Sequence, residues 1–141
     1  MTLDEKQQEI IEEFSMFDDW MDKYNYLIEL SKDLPEMSPD KKVPENLIEG
    51  CQSKVWLDAE IEGDKLVFQA DSDAIITKGI IALLIRVLSE RTPKEIKDAN
   101  LYFIDKIGLK ENLSPTRSNG LLAMLNKIKS YAIAYDAKLN K

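Results

Sequence analysis

Cys51 is the only cysteine in 141 residues, and the chain contains no histidine. It stands in the segment Glu49-Gly50-Cys51-Gln52-Ser53-Lys54-Val55-Trp56. One thiol without an imidazole cannot form an internal disulfide, a zinc cage or a Cys–His hydrolytic dyad. A free cysteine is most often a small apolar filler. If this one does chemistry, what remains open to it is to carry a group covalently. The reactive form is the thiolate, and a free cysteine ionises near pH ~8.5. Arg117, Lys54 or the N-terminus of the helix after Asp73 would favour the anion, while Asp71 and Asp73 would oppose it. The residues alone leave that balance open.

Two further polar segments break the apolar pattern where packing does not require it. They are Asp71-Ser72-Asp73, with Lys78 beyond it, and Ser114-Pro115-Thr116-Arg117-Ser118-Asn119-Gly120. Each has a plainer reading beside the functional one. Asp71 or Asp73 fits a helix cap better than a catalytic acid. Arg117, read as a loop residue, is either solvated or a partner contact, and arginine is enriched at interface hot spots. Gln52 and Ser53 either satisfy the loop backbone or meet a partner. Lys78 reads as a solvated surface residue. The cluster Glu9, Glu12, Glu13 reads as a solvated helix face and lacks the ligand spacing of a calcium loop.

The elements that must position these segments follow from capping and periodicity. Thr2-Leu3-Asp4-Glu5 is a capping box ahead of Ile10, Ile11 and Phe14, which predicts a helix over about 3–15. Asp18 or Asp19 can cap a second helix with the stripe Trp20, Met21, Tyr24, Leu27, Ile28, stopped at Pro35. Pro35, Pro39 and Pro44 mark residues 35–46 as a loop. Val55, Leu57, Ala59, Ile61 and then Leu66, Phe68, Ala70 alternate around Glu62-Gly63-Asp64-Lys65, predicting an antiparallel hairpin with one face on a core. Ser72 or Asp73 is placed to cap a long apolar helix reaching about Glu90. Gly79 inside it points to close packing, since glycine there costs about 1 kcal/mol relative to alanine. Thr92-Pro93 opens a short helix, residues 101–107 form another ended by Gly108, and a last helix covers about 117–138. The class is α+β: a small antiparallel sheet flanked by helices, in one domain over 1–141. The hairpin should bring the three polar segments to one end of the sheet.

With 19 basic and 26 acidic residues the net charge is −7. That does not suit a nucleic-acid backbone, which calls for clustered cations. The longest apolar stretch, Ile80 to Ile85, is far short of the ~20 residues of a membrane helix. The N-terminus carries no basic region followed by an apolar run, and one cysteine fits a reducing compartment. The expected location is the cytoplasm. Neither nucleic acid nor membrane is expected as a partner.

Taken together, Gly50-Cys51-Gln52-Ser53-Lys54-Val55-Trp56, Asp71-Ser72-Asp73-Ala74 with Lys78-Gly79, and Leu113-Ser114-Pro115-Thr116-Arg117-Ser118-Asn119-Gly120-Leu121 resemble the SufE family. Trp20, Lys23 and Tyr24, followed by Leu34-Pro35, fit as well, in order, over nearly the whole chain. The resemblance implies a fold similar to the IscU-like scaffold proteins. It implies a protein that accepts sulfur from a PLP-dependent cysteine desulfurase (SufS-like), stimulates that enzyme, holds the sulfur as a persulfide on Cys51 and passes it to an iron–sulfur scaffold complex. It implies no cofactor of the chain's own, because the PLP belongs to the desulfurase. It maps the carrying cysteine onto Cys51 and an interaction arginine onto Arg117, with Gly50, Gln52, Ser53, Asp71 and Asp73 positioning the loop or meeting the partner. Leu47, Ile48 and Trp56 are the apolar neighbours expected to shelter the sulfur. The oligomeric state is open, a homodimer included. The competing functions are a single-cysteine thiol redox protein, against which the missing resolving cysteine counts, and a non-catalytic adaptor.

Overall fold

The computed structural model describes residues 1–139. Helix α1 (Leu3–Ser15) starts at the Thr2 capping box: the Thr2 hydroxyl accepts from the Glu5 amide, and the Glu5 carboxylate accepts from the Thr2 amide. Two of the helix's orphan donors are thereby satisfied. Helix α2 (Trp20–Asp33) is capped by Asp19, which accepts from the Asp22 amide. Its buried face centres on Leu27 and Leu30; Met21, expected in the same stripe, points to solvent.

Residues 35–46 hold two single turns of 3-10 helix, Pro39–Lys41 and Pro44–Asn46. They lie against the outer face of the hairpin, where Lys41 pairs with Asp58 and Glu60. The hairpin joins β1 (Val55–Glu62) to β2 (Lys65–Ser72), with Val55 opposite Ser72 and Glu62 opposite Lys65. Val55, Leu57, Ala59, Leu66, Phe68 and Ala70 are buried on one face, as alternation predicts.

Helix α3 (Ile75–Leu88) is buried on nearly every side from Gly79 onward. It ends at Leu88 rather than Glu90. The chain there turns back to β2: the Glu90 amide donates to the Leu66 carbonyl and the Leu66 amide to the Arg91 carbonyl. Gly79 meets α2 as expected of a close contact. A Cβ at that position would lie 2.3 Å from the Leu27 carbonyl oxygen.

Helix α4 (Pro93–Asp98) has its own capping box, Thr92 with Glu95. The helix expected over 101–107 is shorter, α5 (Phe103–Lys106), and Gly108, at φ +71°, starts a further turn, α6 (Leu109–Asn112), rather than ending the helical run. Helix α7 (Pro115–Leu139) begins two residues before the expected boundary. It runs along the hairpin, with the Tyr131 and Tyr135 hydroxyls donating to the Leu57 and Ala59 carbonyls at 3.3 and 3.2 Å.

One apolar cluster draws on all seven helices and both strands. The acidic face of α1 is not simply solvated: Glu9 and Glu13 pair with Arg86 of α3, and Glu13 also accepts from the Tyr26 hydroxyl. These pairs tie α1, α2 and α3 together. Among the described residues no helix is long and apolar enough to cross a membrane.

Candidate functional site

The Ile48 amide donates to the Val55 carbonyl at 2.8 Å, and Leu47 bridges to Trp56. The chain between them is thus closed into a loop that carries Cys51. Gly50 takes φ +95°, a conformation that side chains resist, so the tip can bend there. The loop lies flat on α7 because its contacts with that helix are small. A Cβ on Gly50 would stand 3.4 Å from the Ala123 Cβ, and one on Gly120 would stand 3.5 Å from the Cys51 Sγ. The thiol points to the Gly120 carbonyl oxygen at 3.7 Å.

β2 ends in the tripeptide that holds this loop. The Asp73 carboxylate accepts from the Lys54 amide at 3.0 Å, and the Asp73 amide donates to the Lys54 carbonyl at 3.2 Å. The Ser72 hydroxyl donates to that same carbonyl at 2.8 Å and accepts from the Ala74 amide. Both side chains are therefore spent on the loop, and neither caps α3. Its N-cap is Ala74, with no side-chain hydrogen bond, which corrects the capping role expected of Ser72 or Asp73. Asp71 is no cap either. It pairs with Lys42 at 2.5 Å and Lys78 at 3.3 Å, so Lys78 is not simply solvated. Burial pushes the Asp71 carboxyl up, but the Lys42 ammonium, the Ser72 amide and the Lys78 ammonium outweigh it and leave its pKa below the ordinary value. Residues 42 and 54, on either side of the cysteine loop, are thus both fixed to residues 71–73.

Cys51 opens onto a cavity of about 320 Å³. Gln52 and Ser53 line it from the loop, Ala74 to Thr77 and Ile80 from α3, and Thr116, Arg117, Gly120 and Met124 from α7. The first and third polar segments do meet, as expected. The second does not line the cavity; it braces the loop from behind. Arg117 is exposed in the first turn of a helix, not on a loop. Its amide donates to the Ser114 hydroxyl at 3.3 Å, and Pro115 is the first helical residue. Leu47, Ile48 and Trp56, the expected shelter, are not walls of this cavity. Leu47 and Ile48 line a groove on the other flank of the loop. The apolar part of the wall is Ile76, Ile80 and Met124 instead. Periodicity marks Ile76 and Ile80 only as core residues of their helix and leaves Met124 unmarked; no signal in the sequence turns any of the three toward the thiol.

Burial raises the Cys51 pKa above its ordinary value, and no cation offsets it. The balance left open by sequence is thus decided by desolvation, and the resting thiol is neutral. A neutral thiol in a partly apolar recess is a weaker nucleophile than a thiolate. Among the described residues no cluster of carboxylate or sulfur ligands could hold a metal ion.

Residues 8–132 match the model of the SufE domain, described as an Fe-S metabolism associated domain. An uncharacterised SufE-like protein of Rhizobium etli is 43% identical over 129 residues, covering 88% of this chain and 87% of that one. A second uncharacterised SufE-like protein, from Rhizobium meliloti, is 42% identical over 129 residues, 88% of this chain and 92% of its own. The solution structure of a hypothetical protein from Thermus thermophilus shares the fold at a TM-score of 0.77, with 22% identity over 94% of this chain and 96% of that one.

Proposed function

Since this chain belongs to the SufE family, and with it to Fe-S metabolism, we propose that it is a sulfur acceptor that carries sulfane sulfur as a persulfide on Cys51. The donor is a PLP-dependent cysteine desulfurase, which keeps its own cofactor, and the receiver is an iron–sulfur scaffold complex. The chain itself is a covalent carrier that speeds the desulfurase by unloading it. The working compartment is the cytoplasm.

The step is a thiol–persulfide exchange. The Cys51 thiol loses its proton to solvent or to a donor group as the loop leaves α7. Its thiolate attacks the outer sulfur of the donor's cysteine persulfide. The Cys51–sulfur bond forms, the donor's sulfur–sulfur bond breaks, and the electron pair of that bond leaves on the donor's thiolate. No net oxidant or reductant is consumed. Delivery repeats the exchange in the other direction, with Cys51 as the leaving thiolate.

One observation carries this reading: the sole thiol sits on a loop held by polar tethers at its base and by small contacts at its tip, beside a cavity with room for more than the thiol. A half-buried thiol raised in pKa is poor chemistry for a peroxidase, which needs thiolate at rest. The test is to incubate the protein with a cysteine desulfurase and cysteine, then measure intact mass without reductant. The wild type should gain the mass of one sulfur atom, removable by dithiothreitol, and Cys51→Ser should gain none. Equal loading of both proteins would end the proposal, and full stimulation of the desulfurase by Cys51→Ala would replace it with an adaptor role.

A further inference from the structure

Met16, Met21, Leu122 and Ile133 are exposed apolar side chains on or beside the helices. Scattered singly, such residues are ordinary on a protein surface. Ile75 differs from them in its place. It is 54% exposed and also lines the cavity that holds Cys51, so it stands at the mouth of the recess from which the thiol must act. It is the first residue of α3, directly after the uncapped Ala74.

The charge around that mouth is the second observation. Acidic residues outnumber basic ones 26 to 19 in the chain, yet no carboxylate lines the cavity, and its one charged residue is Arg117. The acids nearest in sequence are turned elsewhere: Asp73 to the Lys54 amide, Glu49 to the groove on the other flank of the loop, and Asp71 to two lysines. The rim is therefore an apolar, weakly cationic window in an acidic surface. Such a window favours a partner patch with an apolar socket and a carboxylate, and disfavours a basic one.

We propose that Ile75 is the apolar anchor of the face that receives the sulfur donor, seated in a socket beside the donor's persulfide cysteine while a donor carboxylate meets Arg117. This rests on the carrier reading above and names the chemistry of its partner surface. The occupant is the donor protein because whatever reacts with Cys51 must cover this rim, and Ile75 is the rim's exposed large apolar side chain. An anchor of one side chain and one charge pair also suits a complex that must come apart after each transfer.

The experiment follows desulfurase turnover against the concentration of the carrier protein. Ile75→Asp should raise the KM for the carrier about tenfold, the size expected when an interface anchor is lost, with kcat within about twofold. Ile75→Leu should restore KM to within about twofold. Ile133→Asp places the same charge at a side chain that is 55% exposed and outside the cavity; its KM should equal that of the wild type. An unchanged KM for Ile75→Asp overturns the inference. So does an equal rise for Ile133→Asp, which would mark a general charge effect. Failure of the wild type to take up sulfur at all would instead remove the carrier reading, and Ile75 would lose its partner with it.

Discussion

Two glycines bring backbone close to a neighbour in this molecule, and they do it to different ends. Gly79 lets α3 lie against α2 with no gap, where an added Cβ would meet the Leu27 carbonyl oxygen at 2.3 Å and carbon at 2.8 Å. Those are backbone atoms between two packed helices, and they cannot swing aside. Gly120 lets the cysteine loop lie on α7, but a Cβ there would meet only the Cys51 Sγ, at an ordinary contact distance of 3.5 Å. The first contact fixes two core helices. The second rests a loop on a surface, and the loop is held mainly by hydrogen bonds from Ser72 and Asp73. The carrier role proposed above calls for both: a body that does not move and one segment that can.

The largest test of this contrast is Gly79→Ala. It should destabilise the protein by about 2–3 kcal/mol through overpacking, although alanine is the better helix former. Urea unfolding measures it, and a neutral result would show that α2 and α3 are not locked. Next comes Asp73→Ala, which removes the bond to the Lys54 amide. Losing about 1 kcal/mol of loop docking should speed iodoacetamide alkylation of Cys51 about fivefold, with less effect on global unfolding. An unaltered alkylation rate would mean that the tether does not hold the loop.

Gly120→Ala should have the opposite sign to Gly79→Ala. It gains up to about 1 kcal/mol of helix stability and meets the thiol without a clash, so the urea midpoint should rise or hold. A large loss would make the loop contact as rigid as the core one. The smallest effect is in pH. Burial raises the Cys51 pKa, so docking favours the protonated thiol. That contribution is complete below the ordinary thiol pKa and is lost as pH rises through the raised value. The alkylation–pH curve should therefore have its midpoint above the ~8.5 of a free cysteine, and Asp73→Ala should move it back down. A midpoint at or below the free value in the intact protein would mean that a cation, not burial, governs the thiol.

Much of this architecture was legible in the residues because local signals and long-range packing agree. The Thr2–Glu5 and Thr92–Glu95 boxes place α1 and α4, and strict alternation places both strands with the correct face inward. Gly79 announced a close contact that the folded chain contains. Legibility ended where one polar residue had two uses. Ser72 and Asp73 sit where helix caps sit, but the loop backbone competes for the same oxygens and takes them. Residues 115 and 116 were left outside the expected helix, and Arg117 at its boundary read as a loop residue, because the apolar stripe of α7 starts only at Leu121. The first turns of that helix face the cysteine loop rather than the core, although Ser114-Pro115 already carried a helix-start signal.

Residue order was enough to establish that the one thiol has no second cysteine or histidine to work with, on a bend next to a hairpin, in an acidic protein. Those properties depend on residue types and near neighbours, which chain order preserves. Which side chains wall the thiol, and whether charge or burial sets its ionisation, emerged only once the chain was folded. Ile76, Ile80 and Met124 come from two helices far apart in the chain. Desolvation depends on how such distant segments close around a group, a property with no local trace in the order of residues.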